Sequence, residues 1–146
     1  DLRIFDLIDN KSSFYVHNSY KKNIGKIISF LKYSSNSDDE NIKNFAKNLC
    51  MHIAALKPEA LDENSLDQKT VEKELNIQKE LILNSGKPAN VIDKILEGKM
   101  KKFYSEVTLL NQSFVLNPDK SVGDIVTTDY KEANFEIKMF NFISLT

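Results

Sequence analysis

A chain of 146 residues that is 41% hydrophobic has the length of one domain and enough apolar side chains for a real core. Its net charge of −1 argues against a domain built to hold bulk nucleic acid, and its single cysteine, Cys50, excludes an internal disulfide and makes a reducing compartment the default. No apolar run reaches the roughly 18 residues of a membrane span and no secretory signal is visible; residue 1 is Asp on a strand-like pattern, so the chain is read as part of something longer.

Residues 2–8 (LRIFDLI), 14–18 (FYVHN) and 24–33 (IGKIISFLKY) are rich in β-formers and separated by polar turns, which predicts three strands. The short connections favour antiparallel pairing. Residues 34–40 (SSNSDDE) form a loop ending in acidic residues that suit the positive end of a helix dipole. From Asp39 to Lys57 the pattern is helical, with Ile42, Phe45, Ala46, Leu49, Ile53 and Leu56 on one stripe, and Pro58 ends it.

After a polar loop over 59–67, residues 68–84 are helical again, with Val71, Leu75, Gln78 and Ile82 in line and Ile77, Leu81 and Leu83 off it. Gly86 suits the left-handed position past a helix end, and Pro88 suits a first helical turn. The next helix carries Ile92, Leu96, Met100, Phe103, Val107 and Leu110 on one long stripe, interrupted by Gly98. Together these make an antiparallel helical hairpin with arms of roughly 25–30 Å. Residues 111–118 read as a loop, Ser121 to Val126 fit one helical turn, and 134–145 alternate as a strand with Phe135, Ile137 and Met139 on one face and Phe140 and Phe142 on the other. The expected fold is α+β. A small antiparallel sheet of three N-terminal strands and one C-terminal strand packs with a helix, and a helical hairpin is inserted. Residues 1–66 and 111–146 form the core, and 67–110 the coiled-coil hairpin.

Chemistry has few carriers. The four glycines, at 25, 86, 98 and 123, assemble no phosphate loop. Cys50 and His52 lie about 200° apart around a helix, which fits neither a metal pair nor a nucleophile with its base. The Asp38-Asp39-Glu40 run reads as a helix start rather than a catalytic pair. The expectation is a non-enzyme without cofactor or metal. His52 sits at the edge of its stripe, above Phe45 and Leu49, either as a half-buried cap on the core or as a partner contact. Met51, Ala54 and Ala55 form a second small apolar face, for close packing or for docking. Lys99, Lys101 and Lys102 read as a solvated helix face, with nucleic-acid contact the weaker alternative.

The string Ser85-Gly86-Lys87-Pro88, then Ile92-x-x-Ile95-x-Glu97-Gly98-Lys99-Met100-x-Lys102-Phe103, then Glu106-Val107-x-Leu109-Leu110-x-Gln112-x-Phe114-Val115 resembles elongation factor Ts. Upstream, Met51-His52-Ile53-Ala54-Ala55 with Lys57-Pro58, and Leu2-Arg3, Tyr15-x-His17-Asn18 and Ile24-Gly25-Lys26, fit the same family in order, as does Pro118-Asp119-Lys120-Ser121-Val122. The resemblance runs over essentially the whole chain. Ser113 stands where the family has a common proline, Lys99 where it has arginine, and the segment after Ile143 lacks its GEG turn.

The resemblance implies a guanine-nucleotide exchange factor for elongation factor Tu, in a bacterial cytoplasm or an organellar matrix or stroma. The chain corresponds to the second half of such a factor. The Thr-Asp-Phe-Val motif, through which the family disturbs the partner's magnesium and phosphate site, does not occur in it. The family's N-terminal helices and last helix have no counterpart in it either. Carried over residue by residue, the partner-binding residues are Ile24, Gly25, His52, Val115 and Leu116; Met51, from the small apolar face of the same helix, completes the partner-binding set. The expected role is docking to elongation factor Tu, GDP-bound and nucleotide-free. The alternative is a homodimer formed through the hairpin. Neither nucleic acid nor membrane is expected as a partner.

Overall fold

The computed structural model describes residues 11–22 and 24–144. Two compact units form, residues 1–57 with 114–146, and residues 58–113.

In the first unit, β1 (Ser12–Lys21) and β2 (Ile24–Ser34) pair antiparallel, with Phe14 opposite Phe30 and His17 opposite Ile27. On the other side of β2 lies β5 (Glu136–Ser144), also antiparallel, with Leu31 opposite Phe140. β2 is therefore central, and it carries the buried Ser29, Phe30, Leu31 and Tyr33. The strand expected over 2–8 lies outside the described residues. Gly25 of β2 packs tightly against β1. A Cβ there would stand 2.5 Å from Val16 Cγ1 and 2.6 Å from the His17 carbonyl oxygen, so only glycine fits.

The single alternation expected along β5 is broken by a bulge. Tyr33 pairs with Ile137 and Lys32 with Met139, which leaves Lys138 as the extra residue. A one-residue slip exchanges the faces of a strand. Ile137 is buried, but Met139 is 52% exposed, and beyond the bulge Phe140, Phe142, Ile143 and Ser144 are half-buried.

Helix α1 (Glu40–Leu56) starts where Asp39 accepts the Ile42 N–H at 2.9 Å, and the Ser37 hydroxyl steadies the same carboxylate at 2.9 Å. The acidic run is a helix start. The helix ends at Lys57, which adopts a left-handed conformation (φ 49) and donates its N–H to the Ile53 carbonyl. Eight buried residues, from Ile42 to Ala54, include His52, Cys50 and Ala54 beyond the expected stripe. One side of α1 packs on β1 and β2, where the Ser29 hydroxyl donates to the Cys50 carbonyl at 2.6 Å. The other side meets the chain on its return. Phe45 stacks on Tyr130 (centroids 4.1 Å apart) and meets Phe114 and Phe135 edge-on, and Phe135 stacks in turn on Tyr33 at 4.9 Å.

The return segment opens with a short hairpin, β3 (Ser113–Phe114) and β4 (Asn117–Ser121), within the region expected to be a loop. Helix α4 (Val122–Thr128) follows, begun by a reciprocal cap between Ser121 and Asp124 and held by the buried Val122 and Ile125.

In the second unit, α2 (Gln68–Asn84) and α3 (Ala89–Val107) lie together as a helical hairpin. Asp67 caps α2 at the Thr70 N–H. Gly86 has φ +67, the left-handed value expected of it, and Pro88 stands at the cap of α3, one position before its first helical residue. Ile82 and Met100 are the buried residues of the facing stripes, with Val71, Leu75, Ile92, Leu96 and Phe103 half-buried. Leu110 lies past the end of α3, because Thr108 is extended and bridges to Ala60. Leu109 takes the fully buried position instead, and its N–H donates to the Ala60 carbonyl at 2.9 Å.

The two hairpin glycines respond oppositely to alanine. Gly98 has helical geometry and open space around it, so Gly98→Ala stabilises the hairpin by about 0.5–1 kcal/mol. Gly86 also faces open space but has positive φ, so Gly86→Ala destabilises by roughly 1 kcal/mol. Urea unfolding followed by circular dichroism reads both; equal signs refute the assignment.

Acid acts through the caps. Hydrogen bonds from the Ile42 N–H, the Ser65 hydroxyl and the Ser121 hydroxyl hold Asp39, Asp62 and Asp124 below the ordinary carboxylate range. A lowered folded pKa adds stability that is complete above the unfolded value, about 4, and is lost as pH falls through the folded value. The urea midpoint of the wild type should fall below about pH 4. Asp39→Asn, which keeps the acceptor without the titrating charge, should fall less steeply.

Candidate functional site

The end of α1 places Met51, Ala54 and Ala55 at i, i+3 and i+4, on one face. Across from them the pleat of β1 sends Tyr15 and His17 to the same side, and the register adds Ile27, the partner of His17. The third wall is the two-residue tip of the β3–β4 hairpin, Val115 and Leu116. Lys57, at the helix end, completes a groove of about 540 Å³.

The tip is unusual. Two-residue hairpin loops favour Asn, Asp or Gly, whose positive φ matches strand twist. Here the loop is Val-Leu, neither residue has positive φ, and the side chains are 37% and 56% exposed. They are held out by what lies on either side. Phe114 is buried against Phe45 and His52, with ring centroids at 6.0 and 5.7 Å. The Val115 N–H donates to His52 Nδ1 at 3.3 Å.

The groove is apolar along its floor and carries its polar groups at the rim. The Tyr15 hydroxyl and His17 Nδ1 are 3.2 Å apart and share a hydrogen bond, and Lys57 supplies a cation. No carboxylate stands among its described lining residues. Cys50, on the same helix, faces the interior, and burial pushes its thiol up to about 12. Among the described residues no three His, Cys, Asp or Glu side chains come together as a metal site, and no helix is long and apolar enough to cross a membrane.

Of the residues singled out from sequence, Met51, Val115 and Leu116 meet in this groove, with Ala54 and Ala55. His52 is 0% exposed and lies beneath it, deeper than a half-buried cap, because Phe114 and Val115 close over the ring. Ile24 (57% exposed) and the buried Gly25 stand at the start of β2 and do not line the groove. The groove adds Ile27, which the sequence does not mark as a site residue, and Tyr15, His17 and Lys57, which stand in the sequence only as parts of matched strings. The strand alternation that puts Tyr15 and His17 on one face was the available signal.

The first unit is thus an α+β body with an apolar groove at the end of α1, and the second carries a helical hairpin. The chain belongs to the elongation factor Ts family, whose sequence model matches residues 1–146. It is similar to the elongation factor Ts of Ehrlichia ruminantium (strain Welgevonden), at 38% identity over 128 residues, covering 88% of this chain and 44% of the relative. For the Rickettsia felis protein the identity is 37% over 141 residues (96% and 46%), and for that of Roseobacter denitrificans 48% over 126 residues (86% and 40%). The chain thus spans rather less than half the length of these curated relatives.

Because the thiolate is the reactive form of cysteine, Cys50 should resist iodoacetamide in the native chain at pH 8 and react once urea unfolds it. Mass spectrometry of the alkylated peptide checks this, and prompt native labelling contradicts the burial.

Proposed function

We propose that this chain docks elongation factor Tu through the groove at the end of α1 and so serves guanine-nucleotide exchange. The observation that carries the reading is the hairpin tip: two exposed apolar residues, Val115 and Leu116, converge with Met51 on one groove, where a free-standing hairpin would use polar residues. Burying each of the two side chains in a partner contributes roughly 1.5–3 kcal/mol. Lys57 and His17 at the rim favour a partner surface with a carboxylate or carbonyl beside its apolar residues.

Exchange is differential binding: the factor must hold the nucleotide-free partner better than the GDP-bound one. No Thr-Asp-Phe-Val string occurs in these 146 residues. The chain on its own therefore holds both forms about equally and shifts their balance little. It performs no covalent chemistry and needs no cofactor for this role. The exposed Ile77, Leu81, Leu83 and Val91 of the helical hairpin favour a second reading, self-association of two copies through α2 and α3.

Leu116→Asp should weaken capture of elongation factor Tu at least tenfold, and Ile24→Asp, away from the groove, should weaken it less; calorimetric titration measures both. Stopped-flow release of labelled GDP should show little acceleration by the chain alone, and full acceleration would sink the docking reading. Sedimentation separates the second reading, which requires a dimer that Leu81→Glu dissociates.

A further inference from the structure

We infer that His52 is a positioning residue for the docking groove: without meeting the partner, it sets the Val115–Leu116 tip by accepting the Val115 N–H. The inference rests on the docking reading above. Met51 and His52 are neighbours on α1, yet successive helical residues point about 100° apart. Met51 faces the groove, while the imidazole of His52 is 0% exposed. A partner seated in the groove touches Met51 and has no route to the ring.

The ring acts on two consecutive residues of the hairpin. Its face lies against Phe114 at 5.7 Å, with 32° between the planes, and its Nδ1 takes the Val115 N–H at 3.3 Å. Phe114 is the anchor and Val115 the first residue of the tip. The loop itself does little to fix the tip, since it contains no glycine, asparagine or aspartate and no positive φ. An acceptor supplied by α1 provides the missing specification. Neutral imidazole suits this task. With the proton on Nε2, Nδ1 is an acceptor, and a buried site is spared the charge that a carboxylate would bring.

The shape of the side chain supplies the test. In His, Nδ1 is bonded to Cγ; in Asn, so is Oδ1, so His52→Asn offers an acceptor at the same branch point. His52→Leu keeps apolar bulk and offers none. Two readouts are taken on the full 146-residue chain: exchange of the Val115 amide proton by NMR, and affinity for elongation factor Tu by calorimetry. For His52→Leu, Val115 exchange should quicken at least tenfold relative to the other tip amides and affinity should fall at least tenfold. His52→Asn should recover most of both. Leu116→Ala should lower affinity with Val115 exchange unchanged. The proposal is overturned if His52→Leu binds like the wild type, or if its affinity falls while Val115 stays protected, which would make the histidine a contact. If His52→Leu does not fold, His52→Asn decides: loss of affinity with a protected Val115 amide overturns the proposal. If the wild-type chain fails to bind elongation factor Tu, the docking reading falls and this proposal falls with it. Val115 exchange would then still separate that outcome from a failure of the hydrogen bond itself.

Discussion

The first unit depends on Phe45. Its ring is where three parts of the chain meet: α1, the segment that resumes at Phe114, and the Tyr130–Phe135 stretch that leads into β5. Through Phe135 and Tyr33 the same cluster reaches the central strand. Aromatic rings are effective here because each brings a large apolar area together with a preferred geometry, stacked or edge-on. The contact also offsets an entropic cost. Between α1 and Phe114 the chain leaves for the whole of residues 58–113, and ordering the return segment needs contacts strong enough to outweigh that excursion. With Phe114 seated, Val115 and Leu116 are delivered to the rim of the groove one and two residues later. The groove is thus a by-product of how the core is closed.

Periodicity made most of the fold legible. The helical spacing of Ile42 to Leu56 and of Val71 to Ile82 marked α1 and α2 closely, and the β-rich runs at 14–18 and 24–33 marked β1 and β2. Expectations failed where a local pattern was overruled from a distance. Leu110 continues the α3 stripe on paper, but Thr108 is drawn out of helical geometry by Ala60. Met139 alternates correctly with Ile137, but the bulge at Lys138 turns it to solvent. The strands β3 and β4 are short and flank an apolar turn, so nothing in their sequence separates them from a loop.

The site was legible in a different way. Val115 and Leu116 come through a resemblance to a family, and physics alone gives the small apolar face of α1, Met51 with Ala54 and Ala55. Ile27 is not legible as a site residue, because it depends on the register of β1 against β2, and Lys57 is legible only within a matched string, because its place depends on the left-handed turn that ends α1. Gly25 is a separate case. Its place in a matched motif suggests a contact, and the 2.5 Å that would separate an added Cβ from Val16 Cγ1 gives it a steric reason to be glycine as well.

Lys57 and Val115 line one groove, so the places where the first unit releases and recovers the chain are neighbours. The second unit is stitched at its own base in the same manner, Glu59 to Val107 and Leu109 to Ala60. Each unit therefore brings its own two chain ends side by side. Neighbouring entry and exit points are the geometry that lets a core accept a long insertion without being repacked.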